Sequence, residues 1–480
     1  MLRRLGMPTV LSTAASLVLA AALAAQNVAG VSDSVRAYVS VPEPVVALTH
    51  VLLIDGTGGP VAEDQTVVIA NGRIQSVGNA NSTPVPAGAR VIDLRGSTVV
   101  PGFIGLHDHT FYGAAGWPYH QLNYSAPRLY LGAGVTTIRT TGSMAPYQEI
   151  NLKRSIERGE APGPRMEITG PYLTGTGASS DIMAQLNSPE AARRAVAYWA
   201  DEGATWFKAY TWITRAELGA VIEEAHKRGL KVTGHLCSVT AREAVALGID
   251  NLEHGLQVNT DYVKDKQPDV CPRNLRQSLM DLDIGSEAVK ATFRDMISHH
   301  VAMTSTLAVY EASAPNRPPL DQRVLDAMYP ETKTAYLTAR ARLADNAATS
   351  STPALLKKAM QYEFEFAKAG GLLAAGVDPT GNGGALPGFG DQRNYELFIE
   401  AGFTPQQAVQ IMSANGAQVL GWGDRLGTVT PGKLADLIVI QGNPVTTPSD
   451  IRKVSIVFKD GVGYDSPRLI GSVKGLVGLR

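Results

Sequence analysis

The 480-residue sequence predicts an α/β fold, a (β/α)8 TIM barrel with a small β-sandwich domain formed from both termini. Three observations lead there. A strand-then-helix rhythm repeats through the centre of the chain, both ends read as short strands joined by tight turns, and polar residues recur at the C-terminal ends of the central strands. The run Val99-Val100-Pro101-Gly102-Phe103-Ile104-Gly105-Leu106-His107-Asp108-His109 shows the third most clearly. An apolar strand ends there on two histidines, one residue apart, that project from the same face.

Taken from the N-terminus, residues 1–25 read as a signal peptide. Arg3 and Arg4 form a basic start, Val10 to Ala25 is apolar, and Ala22-Leu23-Ala24 offers a small-x-small cleavage site. No cysteine follows, so a lipoprotein anchor is not expected, and no other segment is long and apolar enough to span a bilayer. The expectation is a periplasmic or secreted protein, off the membrane once the leader is cleaved. A net charge of -1 gives no reason to expect a nucleic-acid partner. Cys237 and Cys271 are the only cysteines. An oxidising compartment permits their pairing, and two free or buried thiols fit the sequence equally well.

Residues 26–98 form the first part of the sandwich. Thr66 to Ala70, Asn71-Gly72 and Arg73 to Val77 spell a hairpin with an Asn-Gly turn. Residues 425–480 supply the second part, through Ala435 to Ile440 and Val454 to Phe458. Between them, residues 99–424 form the barrel. Its strand candidates are Val99 to His109, Thr136 to Thr140, Met166 to Thr169, Trp206 to Tyr210, Lys231 to His235, Asn251 to His254, Ala302 to Thr306 and Leu373 to Asp378. Helical patterns intervene, such as Arg215 to Arg228 before Gly229, and Ala241 to Leu247 before Gly248.

His107, His109, Lys208, His235, His254 and Asp378 all fall in or at the ends of predicted barrel strands, the pole where such barrels place their chemistry. Imidazole and carboxylate suit a transition metal, zinc above all. Alternation puts Trp206, Lys208 and Tyr210 on one face. An ammonium beside two dications is strongly disfavoured, whereas a desolvated, neutral lysine can take up carbon dioxide and become an anionic, bridging carbamate. Two Zn2+ bring four positive charges, and carbamate, Asp378 and a bridging hydroxide offset three of them, which a polar barrel mouth tolerates.

These residues, with Val100-Pro101-Gly102-Phe103-Ile104, Asn251-Leu252-Glu253-His254-Gly255, Gly376-Val377-Asp378 and Gly427 to Val439, resemble the amidohydrolase superfamily, and specifically its imidazolonepropionase-like and Xaa-Pro dipeptidase-like branch. The resemblance covers essentially the whole mature chain. It implies that His107, His109 and Asp378 hold the more buried of two metals, His235 and His254 the more exposed, and that an N6-carboxylated Lys208 bridges them. Gly105, Thr140 and the Leu386-Pro387-Gly388-Phe389-Gly390 loop depart from common family residues, without removing a ligand.

The expected activity is hydrolysis of a C–N amide bond in a small molecule, a dipeptide of Xaa-Pro type or an N-acyl amino acid. Asp378 would move the proton and Tyr210 would donate to the oxyanion. Tyr112, His120, Tyr124, Tyr172 and Arg393 are candidate substrate contacts on loops after the first, third and eighth strands. Trp206 is read as barrel filling, and His226, His299 and His300 as structural. The long connections Gln257 to Ser298 and Pro318 to Glu365 suit a lid or a contact between copies in a homo-oligomer. Three alternatives are a mononuclear cyclic amidohydrolase or deaminase, against which Lys208 speaks, an esterase or lactonase acting on a xenobiotic, and an idle binding protein. The last predicts broken ligand positions, and all six are intact.

Overall fold

The computed structural model describes residues 30–114, 119–178, 183–317, 321–381 and 383–479. The expected leader, residues 1–25, lies outside them. Among the described residues no helix is long and apolar enough to cross a membrane.

Eight parallel strands form the barrel: β1 (Phe103–Asp108), β2 (Val135–Thr140), β3 (Arg165–Gly175), β4 (Trp206–Ala209), β5 (Lys231–Gly234), β6 (Asn251–Glu253), β7 (Ala302–Ser305) and β8 (Leu373–Ala375). Each pairs with the next in sequence order. The ring is drawn together where the Asp378 amide donates to the His107 carbonyl across 2.8 Å. That contact joins two predicted metal ligands through their backbones. It requires Gly376, because a Cβ there would stand 2.2 Å from the His107 nitrogen.

The expected strand Val99 to His109 is two strands. Ser97–Pro101 pairs antiparallel with Leu437–Gln441 in the terminal domain, and Phe103–Asp108 opens the barrel. Gly102 separates them, and a Cβ there would meet the Thr136 hydroxyl at 2.3 Å. The third strand runs past its expected end at Thr169 to Gly175, because Leu173 to Gly175 pairs with a short added strand, Ala184–Leu186.

Both termini build the second domain, a continuous mixed sheet that begins with Val39–Val41 and ends with Val462–Asp465. Val46, Val67 and Ile74 from its N-terminal half share one core with Leu437, Val439 and Phe458 from its C-terminal half. The Asn71-Gly72 turn is present, with both residues at positive φ, between Ala62–Ala70 and Arg73–Asn79. Arg165, at the start of β3, donates to Asp436 at 2.9 Å and Asp460 at 2.5 Å, a buried ion pair between barrel and sheet.

Helices around the barrel start on explicit caps. Thr214 and Thr240 each accept from the backbone of the third helical residue, while Glu217 and Glu243 bond back to the caps of Arg215–Lys227 and Ala241–Leu247. Cys237 and Cys271 form a disulfide, which resolves the pairing the sequence left open. It ties the loop after β5 to the long connection that follows β6.

Candidate metal centre

β1 ends in the barrel mouth with His107 and His109 both at 1% exposure or less. Asp108, between them, points the other way, and its Oδ1 accepts from the Val377 amide at 3.1 Å. Gly105 leaves room for that carboxylate, since a Cβ would fall 1.9 Å from Oδ2. Lys208 on β4 is fully buried, with Nζ donating to His107 Nε2 across 3.1 Å. His235 follows β5 and is partly exposed. His254 and Asp378 follow β6 and β8 with φ of 67° and 48°, the left-handed region that costs a non-glycine residue energy. Two strand ends thus turn sharply at their functional residue.

Asp378 draws the group together. Its Oδ1 lies 3.4 Å from His109 Nε2, and its Oδ2 lies 3.7 Å from His107 Nε2. The donor atoms of His107, His109 and Asp378 all lie within 4.8 Å of one another. Ring centroids of His107 and His254 are 4.4 Å apart, as are those of His254 and His235. All six expected ligands therefore face one site.

The donor set fits metal binding by its hydrogen bonding. His107 Nδ1 is held by the buried Glu253 carboxylate at 2.7 Å, which leaves Nε2 as its lone-pair nitrogen on the side of Lys208 and Asp378. His254 Nδ1 is held by Thr306 Oγ1 at 2.8 Å, and its buried Nε2 has no hydrogen-bond partner among the described residues. Burial, then the Lys208 charge, lowers His235 to about 3, so its imidazole is neutral at physiological pH, as a ligand must be. Burial also lowers Lys208 to about 8, against the attraction of Glu253 and Asp378. Burial opposes ionisation of Asp378, but His107, His109 and Lys208 together hold it well below the usual carboxylate range.

A cavity of about 300 Å³ opens onto these groups, and Lys208, His235 and Asp378 form part of its wall. Tyr210 lines it beside His235, with ring centroids 4.7 Å apart. Tyr172, carried there by the extension of β3, lines it too and sets its hydroxyl 3.4 Å from His109 Nε2.

A family model for the amidohydrolase family matches residues 98–260 and 391–463, segments that carry five of the six clustered side chains and the C-terminal strands. The chain belongs to the amidohydrolase family. A curated relative, the imidazolonepropionase of Idiomarina loihiensis, is 34% identical over 118 residues. That match spans 22% of this amidohydrolase and 27% of the relative's length. Among solved structures, a protein of Bifidobacterium longum assigned as a prolidase superposes with a TM-score of 0.65 at 24% identity, over 89% of this chain and 98% of its own. A Xaa-Pro dipeptidase with methionine bound in its active site gives 0.66 at 21% identity, over 88% and 100%. These two likenesses are of fold.

Other expected contacts of the amidohydrolase lie elsewhere. Arg393 is committed to Glu311 at 2.7 Å and to Glu396, and does not line the cavity. Tyr112 and His120 border a separate recess, and Tyr124 is exposed under the Arg128 guanidinium. Trp206 packs inside the barrel against Arg139, 4.4 Å from ring to guanidinium. His226 pairs with Asp250 at 2.9 Å, and His299 bonds the Asp295 carbonyl, as structural residues do. Glu253 and Thr306 escaped the sequence reading. A carboxylate two residues beyond Asn251 on a wholly buried strand was the available signal for the first.

Proposed function

We propose that this amidohydrolase is an exported, metal-dependent hydrolase of an amide C–N bond that works with two divalent cations, zinc the first choice. The observation that carries the reading is the convergence of His107, His109, Lys208, His235, His254 and Asp378 on one cavity from five different strands. The residues that would hold the metals are those six. Bound there, the cations would polarise the substrate carbonyl and render water nucleophilic near neutral pH.

Everything else is work for the chain's own groups. With its amine lowered to about 8, Lys208 exists partly in the neutral form that reacts with carbon dioxide, and the resulting N6-carboxylated lysine is the anion the cations need. Glu253 and Thr306 fix the faces of His107 and His254. Asp378, ionised, accepts the proton of the attacking water and delivers it to the leaving nitrogen. Burial raises the Tyr210 hydroxyl, which stays protonated and able to donate to the developing oxyanion. The water oxygen bonds to the acyl carbon, the C–N bond breaks, and a carboxylate and an amine leave.

The substrate class is a dipeptide of Xaa-Pro type or an N-acyl amino acid. The disulfide supports export, because such bonds persist in oxidising compartments. N-terminal sequencing of protein recovered outside the cytoplasm, beginning within a residue or two of Gln26, checks it.

Metal analysis of the purified protein, run with a library of dipeptides and N-acyl amino acids, tests the activity. Two metal equivalents per chain, hydrolysis of a library member, and its loss in Lys208→Ala with partial rescue by short carboxylic acids are expected. One equivalent with full activity in Lys208→Ala would overturn the two-metal reading.

A further inference from the structure

The wall of the cavity is unusual in what it offers a substrate. Phe111, Tyr119, Tyr172 and Trp212 contribute rings, and Met144 and Met183 contribute thioethers. All of these rings but Trp212 join through ring contacts: Phe111 stacks on His109 at 4.4 Å and meets Tyr119 edge-on at 5.5 Å, His109 faces Tyr172 at 6.1 Å, and Tyr172 meets Tyr210 at 5.0 Å. Among the described lining residues Lys208 is the sole ammonium or guanidinium, and it is buried against His107. The segments 115–118 and 179–182, which adjoin Tyr119 and Met183 in sequence, contain no lysine or arginine and one carboxylate, Asp181. Asp378 is the sole carboxylate of the described lining, and it faces His107 and His109.

Building on the amide hydrolysis proposed above, we infer that the group buried in this cavity is an uncharged aromatic acyl group, so that the substrate is an N-acyl amino acid with a ring in its acyl half rather than a free dipeptide. A dipeptide places an α-ammonium next to the scissile carbonyl, beside a centre that carries net positive charge once its cations are bound. No described carboxylate is free to pair with it, and an unpaired charge taken out of water is costly. An uncharged acyl chain avoids that cost. Its ring gains apolar burial and edge-on or offset contact with the aromatic wall, and sulfur contact with the two methionines. The carboxylate of the leaving amino acid finds no cation within the described lining and stays toward solvent. Trp212, 44% exposed, stands where the cavity meets the surface and closes over the ring.

The test compares kcat/KM for three amides of alanine on the zinc-loaded protein. 3-Phenylpropanoyl-alanine differs from phenylalanyl-alanine only by the α-ammonium, and from acetyl-alanine by the benzyl group. The first is expected to exceed each of the others by about tenfold or more, the scale a hydrophobic pocket discriminates. Trp212→Ala is expected to shrink its advantage over acetyl-alanine, mainly through KM. If phenylalanyl-alanine is cleaved as well as its des-amino analogue, or acetyl-alanine as well as either, the inference is overturned while amide hydrolysis stands. If none of the three is cleaved, nor any member of the wider amide library, the hydrolase reading falls with it.

Discussion

Glu253 Oε2 lies 2.7 Å from His107 Nδ1, with both side chains buried at the base of the barrel mouth. The other oxygen of Glu253 accepts from Arg139 at 2.5 Å, from Asn251 at 2.9 Å and from the Thr233 hydroxyl. One carboxylate thus links four strands and sets which nitrogen of His107 is left to bind a cation.

Partners of this kind typically control metal affinity by about 10- to 100-fold. Glu253→Gln is expected to lower zinc affinity within that range, read by competition with a chromophoric chelator. Glu253→Ala is expected to lower it further and to destabilise the fold, because Arg139, fully buried, loses its only carboxylate hydrogen bond among the described residues. Unchanged zinc affinity in both variants would remove the orienting role.

Gly376 gives a prediction about the same histidine through the backbone. Any Cβ at this position meets the His107 main chain, at 2.2 Å from the nitrogen and 2.6 Å from Cα. Main chain cannot rotate aside as a side chain can, so β8 and β1 must separate. Gly376→Ala is expected to lose bound metal and to melt several degrees lower, on the scale of about 1 °C per kcal/mol for a chain of this length. Calorimetry and metal analysis of the purified variant check both.

Much of this centre was legible before any coordinates, and for a physical reason. Barrel strands are short apolar runs, so a histidine, lysine or aspartate in or just past one stands out, and parallel topology brings all those ends to one pole. His107, His109, Lys208, His235, His254 and Asp378 were found this way. Glu253 was not given a role because its partner His107 lies 146 residues away. The left-handed conformation falls on His254 and Asp378 themselves rather than on a glycine or asparagine, although Gly255 continues the first turn at positive φ. Arg393 follows β8 as a substrate contact would, but Glu311, 82 residues earlier, claims its guanidinium. The break at Gly102 was hidden because apolar strand residues continue on both sides of it.

The Cys237–Cys271 disulfide closes a loop with a sequence separation of 34 residues. Chain-entropy arguments assign such a crosslink about 4 kcal/mol. It begins two residues past His235, and the Cys237 carbonyl also accepts from Thr260 Oγ1 at 3.1 Å. Cys237→Ser with Cys271→Ser is expected to lower Tm by about 4 °C, at about 1 °C per kcal/mol for a chain of this length, and reductant is expected to lower the native protein toward the same value without altering the double variant. Equal Tm for all samples would show that the crosslink contributes nothing to stability.

Glu363 supplies the pH prediction. It is buried behind β7, where it accepts from Ser305 Oγ at 2.6 Å, and burial raises its carboxyl from 4.5 to about 8, with that bond only partly opposing. In the folded protein it therefore keeps a proton that the unfolded chain releases above about 4.5. Over the interval between those values the folded state binds more protons, so stability falls as pH rises. Above about 8 the carboxylate ionises in place and no further loss from this group accrues. Glu149 and Asp391, each raised by burial to about 7, act in the same direction, so the comparison must be made between variants at fixed pH. Glu363→Gln has the polarity of the protonated acid at every pH and can still accept from Ser305. Its Tm relative to the unmodified protein is expected to be lower or equal at pH 5 and to rise steadily to a clear advantage at pH 9. Melting curves of the two metal-loaded proteins across that range decide it, and a difference independent of pH would mean that Glu363 is ionised throughout.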